Sequence, residues 1–284
     1  MPPKKDWRNR YDTNCLIAVL AIAHASPMYG YKRVAVIARR EGWNLSNRQV
    51  FRISKKKGLL RKPVNRDAKL HQTQKLFELL PDGPNQLWQT DVTYVHIPEH
   101  GWWYAVTVID YYSRYLLACH FTPSYSAADC CEALNLAKGR AEMIHGSIPG
   151  RINLVTDNGS SFLARRFKSM LREQGFDHYR IQYRTPQQLG LLERFHQNLK
   201  REEIYWNLYP NPAEARVSLE KYRHKYNSYR PHWSLKPKSG GDEVTPERVY
   251  RSEVEIVIPK WQGWAREAKS KLDGQLTQMD QATG

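Results

Sequence analysis

Cysteine is scarce. Four residues, Cys15, Cys119, Cys130 and Cys131, occur among 284, and no two form a CxxC pair. A zinc finger is thereby disfavoured, and adjacent Cys130 and Cys131 are poorly placed to bridge, which argues against a secreted disulfide framework. No stretch approaches the ~20 apolar residues that a bilayer span requires. The opening residues, MPPKKDWRNR, are basic and lack the apolar run of a secretory signal, so a reduced, cytosolic setting is expected. Internal repeats and low-complexity tracts are also missing. Acid is the other shortage: 28 Asp/Glu stand against 44 Lys/Arg, a formal net charge of +16.

What is present suits a globular protein. Hydrophobic residues make up 41% and aromatic residues 12%, enough for a sizeable core. The length fits two domains of ~100–200 residues each. The positive charge is concentrated at the start, where residues 1–66 hold sixteen Lys/Arg and three Asp/Glu. A segment this basic fits a polyanion, most simply nucleic acid; a solvated basic face is the alternative.

Three helices are expected inside that segment. Residues 13–25 form an apolar one, 32–41 a second that stops at Gly42, and a third runs from a Ser46 or Asn47 cap to Lys57. Helix, short turn and basic helix is the outline of a helix-turn-helix. Val50 and Ile53 mark the packed side of the third helix, leaving Arg48, Gln49, Arg52, Lys55 and Lys56 as candidate DNA contacts. Arg48 and Gln49, near its start, suit base edges, while Lys55 and Lys56 suit phosphate. A packing surface is the competing reading. Residues 67–86 read as a linker with a short helix near 69–80.

From residue 87 the pattern changes. Strands are expected at Leu87–Ile97, Trp102–Ile109 and Tyr115–Phe121, then a helix over 126–145 and a strand at Arg151–Val155. A helix over Ser161–Gln174, a strand at His178–Tyr183 and long helices from Pro186 to Tyr209 and over 212–229 follow. This order predicts an α/β domain with a mixed five-stranded sheet and flanking helices over 87–238. Residues 239–284 form a tail of uncertain structure, with a strand at 253–258 and a helix at 260–279.

Three acids stand where such a sheet presents chemistry. Asp91 lies midway along the first strand, and Asp157 directly follows RINLV at a strand's carboxyl end, where open sheets bind ligands. Glu193 lies near the start of a helix, 35 residues separating it from Asp157. Each alone reads as an ordinary turn, cap or surface acid; their joint placement is what points to chemistry. Asp110 reads as structural. His196, Gln197 and Lys200 share the helix face of Glu193. Lys200 is either a DNA contact or a solvated lysine, and His196 either a DNA contact or a surface histidine. Tyr222, Tyr226, Tyr229 and Trp233 read as packing.

The strings around these acids resemble a DDE transposase/retroviral-type integrase catalytic core, closest to bacterial insertion sequence 3 family transposases. They are Trp88-Gln89-Thr90-Asp91-Val92-Thr93-Tyr94, Asp110-Tyr111-Tyr112-Ser113-Arg114 and Thr156-Asp157-Asn158-Gly159-Ser160. Thr185-Pro186-Gln187-Gln188, Leu192-Glu193-Arg194-Phe195, Leu199-Lys200-Arg201-Glu202 and Asn227-Ser228-Tyr229-Arg230-Pro231-His232 complete the set. The resemblance implies an RNase H-like fold and Asp91, Asp157 and Glu193 as the catalytic, metal-holding triad, with Asp91 shared by two Mg²⁺ ions (or Mn²⁺). It implies strand cleavage and strand transfer, with Lys200 beside the DNA end. It further implies element-end and target DNA as partners, a homo-oligomer on DNA, an upstream-frame product or fusion, no membrane, and a bacterial cytosolic, nucleoid-associated setting. The His-His-Cys-Cys module of retroviral integrases is not seen before the core. Two rivals are an inactive DNA-binding regulator and a purely hydrolytic RNase H-like nuclease.

The charge asymmetry yields a direct expectation. Deleting residues 1–66 should remove most affinity for element-end DNA and flatten the dependence of log K on log salt by about 0.9 for each phosphate no longer neutralised. Titrations across a salt series check it, and an unchanged slope would place the DNA interface elsewhere.

Overall fold

The computed structural model describes residues 13–60, 80–148, 150–180 and 190–257. The expected helix near 69–80, the helix at 260–279 and the Thr185–Gln188 string lie wholly or almost wholly outside them. The chain divides into two compact units, Met1–Ala68 and Lys69–Gly284.

In the first unit α1 (Thr13–Ala25), α2 (Tyr31–Arg40) and α3 (Asn47–Lys56) bury Val19, Ile22, Val34, Ile37, Val50 and Ile53 against one another. Gly42 and Gly58, at φ +89° and +68°, take the left-handed conformation that follows α2 and α3. Arg39 fixes the turn between these helices by donating to the Leu45 carbonyl at 2.7 Å and to Asn47 Oδ1. Ser46 is the cap of α3, and it forms a reciprocal capping box with Gln49.

The second unit is a three-layer α/β arrangement. Strands β1 (Leu87–Ile97), β2 (Gly101–Asp110), β3 (Leu116–Thr122), β4 (Ile152–Thr156) and β5 (Phe176–Arg180) form one sheet in the order β3-β2-β1-β4-β5. The first three are antiparallel neighbours, while β4 runs parallel to both β1 and β5, giving the expected mixed sheet. Side-chain alternation divides β1 between two cores. Trp88 enters one core with α4 (Ala127–His145), α5 (Ser160–Leu163) and α6 (Arg165–Glu173). Leu87, Val95 and Ile97 enter the other with α7 (Gly190–Glu202) and α8 (Pro212–His224).

Four expected elements differ. The single helix over 161–174 is broken at Ala164, whose ψ of 145° is extended. In an unbroken helix Phe162 and Phe167 point about 140° apart; the break rephases the chain so that both rings enter one core, 5.3 Å apart. The helix expected to reach Tyr209 stops at Glu202 and gives way to a short 3₁₀ turn, Ile204–Trp206. The helix expected to 229 changes at Lys225 into one π-turn ending at Tyr229, which lets Asn227 bond both the N–H and the carbonyl of Leu116 at 2.8 and 3.0 Å. The strand expected at 253–258 is reduced to an isolated bridge between Ile256 and Pro237, and a short helix α9 (Pro246–Tyr250) precedes it. Asp110 is structural, as expected. Fully buried, it accepts from Asn85 N–H at 2.8 Å and from the backbone and hydroxyl of Ser113. Tyr222 and Tyr226 pack in the core, whereas Tyr229 and Trp233 reach the surface.

A buried ion pair ties α7 to the segment after α8. Arg230 grips Glu202 through Nε and Nη2 at 2.8 Å, with the two side chains 1% and 7% exposed. Removing one partner leaves a charge stranded in low dielectric, so Arg230→Ala should cost about 3–5 kcal/mol. The paired change Arg230→Met with Glu202→Leu should recover most of that. Urea unfolding of the three proteins checks the order, and equal losses would count against it.

Candidate active site

Sheet register brings the two aspartates level. The parallel pairing of β1 with β4 ends at Gln89 opposite Val155, and Asp91 and Asp157 each lie two residues further on. Asp157 therefore stands just past the carboxyl end of β4, the usual ligand-binding edge, and Asp91 just past the end of the parallel ladder, midway along β1. The position of Asp91 in the alternation, shared with Leu87, assigns it to the face covered by α7, where His196 Nδ1 lies 3.6 Å from its Oδ2. Glu193 sits in the first turn of α7, and Lys200 two turns further along the same face.

The four groups interact electrostatically. Burial pushes the Asp91 carboxyl up to about 7; a bond from the Val92 N–H opposes this, Asp157 and Glu193 raise it further, and Lys200 lowers it. Lys200 also lies over the Tyr94 ring, its Nζ 5.9 Å from the centroid. Among the described residues, no three His, Cys, Asp or Glu side chains are gathered tightly enough to hold a metal ion. Glu193 is exposed, and repulsion among three carboxylates opposes closer approach.

His196 corrects an expectation. Read as a DNA contact or a surface residue, it is 8% exposed, because α7 lies flat enough on the sheet to bury it beside Phe195. Its Nε2 meets Thr107 Oγ1 at 2.8 Å, and that hydroxyl also contacts the Asp91 carbonyl at 3.2 Å. One hydroxyl proton cannot serve both partners. Given to the carbonyl, it makes Thr107 the acceptor from Nε2–H and leaves a lone pair on Nδ1, 3.6 Å from Asp91 Oδ2. Burial, then Lys200, lowers the ring's pKa to about 3, so it is neutral.

The same device recurs at the second aspartate. Thr156 Oγ1 donates to the Asp157 carbonyl at 2.8 Å and meets His178 Nε2 at 2.9 Å. Burial holds His178 at about 4. Asp157 Oδ1 itself accepts from the Gly159 N–H at 2.9 Å. Sequence reasoning missed Thr107, Thr156, His178 and Tyr125. Two had a signal: Thr156 directly precedes Asp157, and counting across the turn at Glu99–Gly101 sets Thr107 opposite Asp91. Tyr125 packs its ring near Phe162, and its hydroxyl, pushed up to about 12 by burial and then by Asp157, stands beside Gly159.

The residues expected to touch DNA in the first unit divide. Arg48, Arg52, Lys55 and Lys56 are exposed on α3. Gln49 is engaged, its Oε1 accepting from the Ser46 N–H and hydroxyl at 2.9 Å each. Reading a base edge with that oxygen would undo the cap, so its structural work is at the helix terminus.

Comparison with known proteins bears on the family and the fold. Residues 81–186 and 174–239 each match a family described as integrase core domain. The chain is 25% identical over 232 residues to an uncharacterized 31.7 kDa protein of insertion element IS407 from Burkholderia multivorans, covering 81% of this chain and 80% of that one. It is 26% identical over 236 residues to transposase InsF of insertion sequence IS3A from Escherichia coli, covering 79% and 80%. A chain in the simian T-cell lymphotropic virus intasome, bound there to a PP2A regulatory subunit, superposes with a TM-score of 0.51. That match has 15% identity and covers 85% of this chain and 77% of that one. The fold is thus the expected RNase H-like one.

The turn at Asp157 allows a sharp test. A Cβ on Gly159 would overlap the Tyr125 hydroxyl and lie 3.0 Å from Asp157 Oδ1. Gly159→Ala should therefore destabilise by about 1–3 kcal/mol, and Tyr125→Phe in the same chain should restore much of it. Thermal melts of the single and double variants check this; no rescue would mean the clash lies elsewhere.

Proposed function

We propose that this chain, whose residues 81–239 form an integrase core akin to that of insertion sequence 3 transposases, is a DNA transposase that cuts and joins strands at Asp91, Asp157 and Glu193. The observation that carries the reading is the pair of aspartates at one level of neighbouring parallel strands, Asp91 facing the helix that bears Glu193 and Lys200 and interacting electrostatically with Asp157, Glu193 and Lys200. A fold gains nothing from three mutually repelling acids with one of them half-buried, so a cationic partner is the natural explanation. In this reading residues 1–66 bind DNA and 87–238 carry the chemistry.

The donor set fits a hard divalent cation, being all carboxylate oxygen, with Mg²⁺ or Mn²⁺ the appropriate class. Asp91, Asp157 and Glu193 would hold it. Two such ions, when bound, stabilise the attacking and leaving oxygens of an in-line displacement at phosphorus. The protein's own part is positioning. The Thr107–His196 and Thr156–His178 couples fix the backbone carbonyls of the two aspartates. Lys200 supplies a fixed positive charge for a phosphate of the DNA end. In transfer, a hydroxyl oxygen bonds to phosphorus as the oxygen of the displaced strand leaves. His196, neutral and buried, is a positioning residue rather than a base. The partners are element-end and target DNA, with further copies of the chain assembled on them; the similar viral chain comes from an intasome.

Asp157→Asn should lower strand joining by at least ~10²-fold in Mg²⁺ while leaving duplex binding in place, because it removes transition-state stabilisation and leaves the phosphate-binding cations untouched. A strand-transfer assay on a duplex carrying the inverted repeat that flanks the gene decides it. Joining at the parent rate would overturn the triad.

A further inference from the structure

The outer edge of the sheet carries a basin of about 690 Å³ between α6 and β5. Arg151, Arg165, Arg166, Lys168 and Arg172 line it, against the single carboxylate of Asp177. Arg151 and Asp177 neutralise each other across 2.7 Å. The remaining four cations are exposed and have no ion-pair partner among the described residues. Arg165, Lys168 and Arg172 follow the i, i+3, i+7 rule and form one stripe along α6, spanning ~10 Å at the helical rise. Phe167 and Leu171 are the buried residues of the helix, Leu171 at the floor of the basin.

We propose that this basin binds the phosphodiester backbone of DNA and guides it toward the strand end that bears Asp157. Charge and shape together name the ligand. The basin offers a partner no accessible large apolar surface, since the two large apolar residues lining it, Leu171 and Phe176, are each only 2% exposed, whereas protein interfaces are commonly anchored by aromatic side chains seated in pockets. Arginine forks in a row suit successive phosphates and carry no base preference. His178 lines the same basin and is hydrogen-bonded to Thr156, whose hydroxyl holds the Asp157 carbonyl. The basin is therefore joined to the candidate active site through two side chains. Net charge had pointed to residues 1–66 as the DNA interface; this surface is a second one, within the core unit. The inference rests on the reading of the chain as a DNA-acting enzyme.

The test uses the full chain with a short duplex of arbitrary sequence and one carrying the flanking repeat, in EDTA, so that binding is read independently of the triad. In Arg165→Gln/Lys168→Gln/Arg172→Gln, the slope of log K against log salt should fall by about 2.7, or 0.9 per phosphate neutralised. Between ~50 and ~200 mM salt the parent should then lose roughly 40-fold more affinity than the variant, equally on both duplexes. A control with Lys221→Gln, Lys236→Gln and Lys238→Gln, lysines away from α6, should keep the parent slope. If the triple variant melts early, Arg165→Gln/Arg172→Gln serves instead, with an expected change of about 1.8. A parent-like slope in the α6 variants overturns the proposal. So does a variant that alters only the oligomeric state in sedimentation, which would assign the stripe to protein assembly. Loss of joining in Asp157→Asn bears on the triad alone, so the two readings can fail separately.

Discussion

Keeping the Asp91 carboxylate half-buried on the middle strand of a five-stranded sheet is the demand that organises the core. The carboxyl is raised to about 7 chiefly by desolvation, and every neighbour either offsets or exploits that. Val92 N–H and Lys200 favour the charged form, while Asp157 and Glu193 oppose it. Because β1 is central, its backbone is pinned on both sides, and the Thr107 hydroxyl ties the Asp91 carbonyl to His196 on α7. A neutral histidine in that position lets α7 approach the sheet without adding another buried charge.

The position of α7 then depends on chain far away in sequence. Its carboxyl-terminal Glu202 is gripped by Arg230, and Tyr226 packs edge-on against Phe195 with ring centroids 5.1 Å apart. Asn227 meanwhile replaces a strand partner for Leu116. The π-turn at Lys225–Tyr229 allows one short segment to reach both β3 and α7. The Asn-Ser-Tyr-Arg-Pro-His string thus serves as a brace that holds the helix bearing Glu193 and Lys200. Its effect on the chemistry is indirect.

Electrostatics is divided unevenly along the chain and again within the core. The segment 1–66 carries most of the net charge, and the turn and cap of its helices are internally satisfied by Arg39, Ser46 and Gln49. The rest of the chain is near neutral in total, yet α6 gathers cations on one face while acids collect at the strand ends. Segregation of this kind suits a polyanionic substrate held by its phosphates.

Much was legible in the residues alone. Period-two alternation and turn residues marked the five strands, and the 35-residue interval with its flanking strings singled out Asp91, Asp157 and Glu193. These signals are local, since a strand's pattern and a helix's period depend on neighbours a few residues apart. What they could not convey is what meets what across the fold. The break at Ala164 exists because two phenylalanines must share one core, and no window around Ala164 contains that core. Gln49 looked like a reader of bases until its oxygen was found on the cap. His196 looked like a surface residue until α7 was laid on the sheet. Tyr125 and His178 enter the site only through packing of segments 20 to 35 residues apart. Composition and periodicity therefore pointed to a basic leading unit and an α/β core, and the resemblance of the flanking strings singled out the three acids, while tertiary contacts alone decided which groups surround them, because hydrogen bonds and burial are set by distance in space.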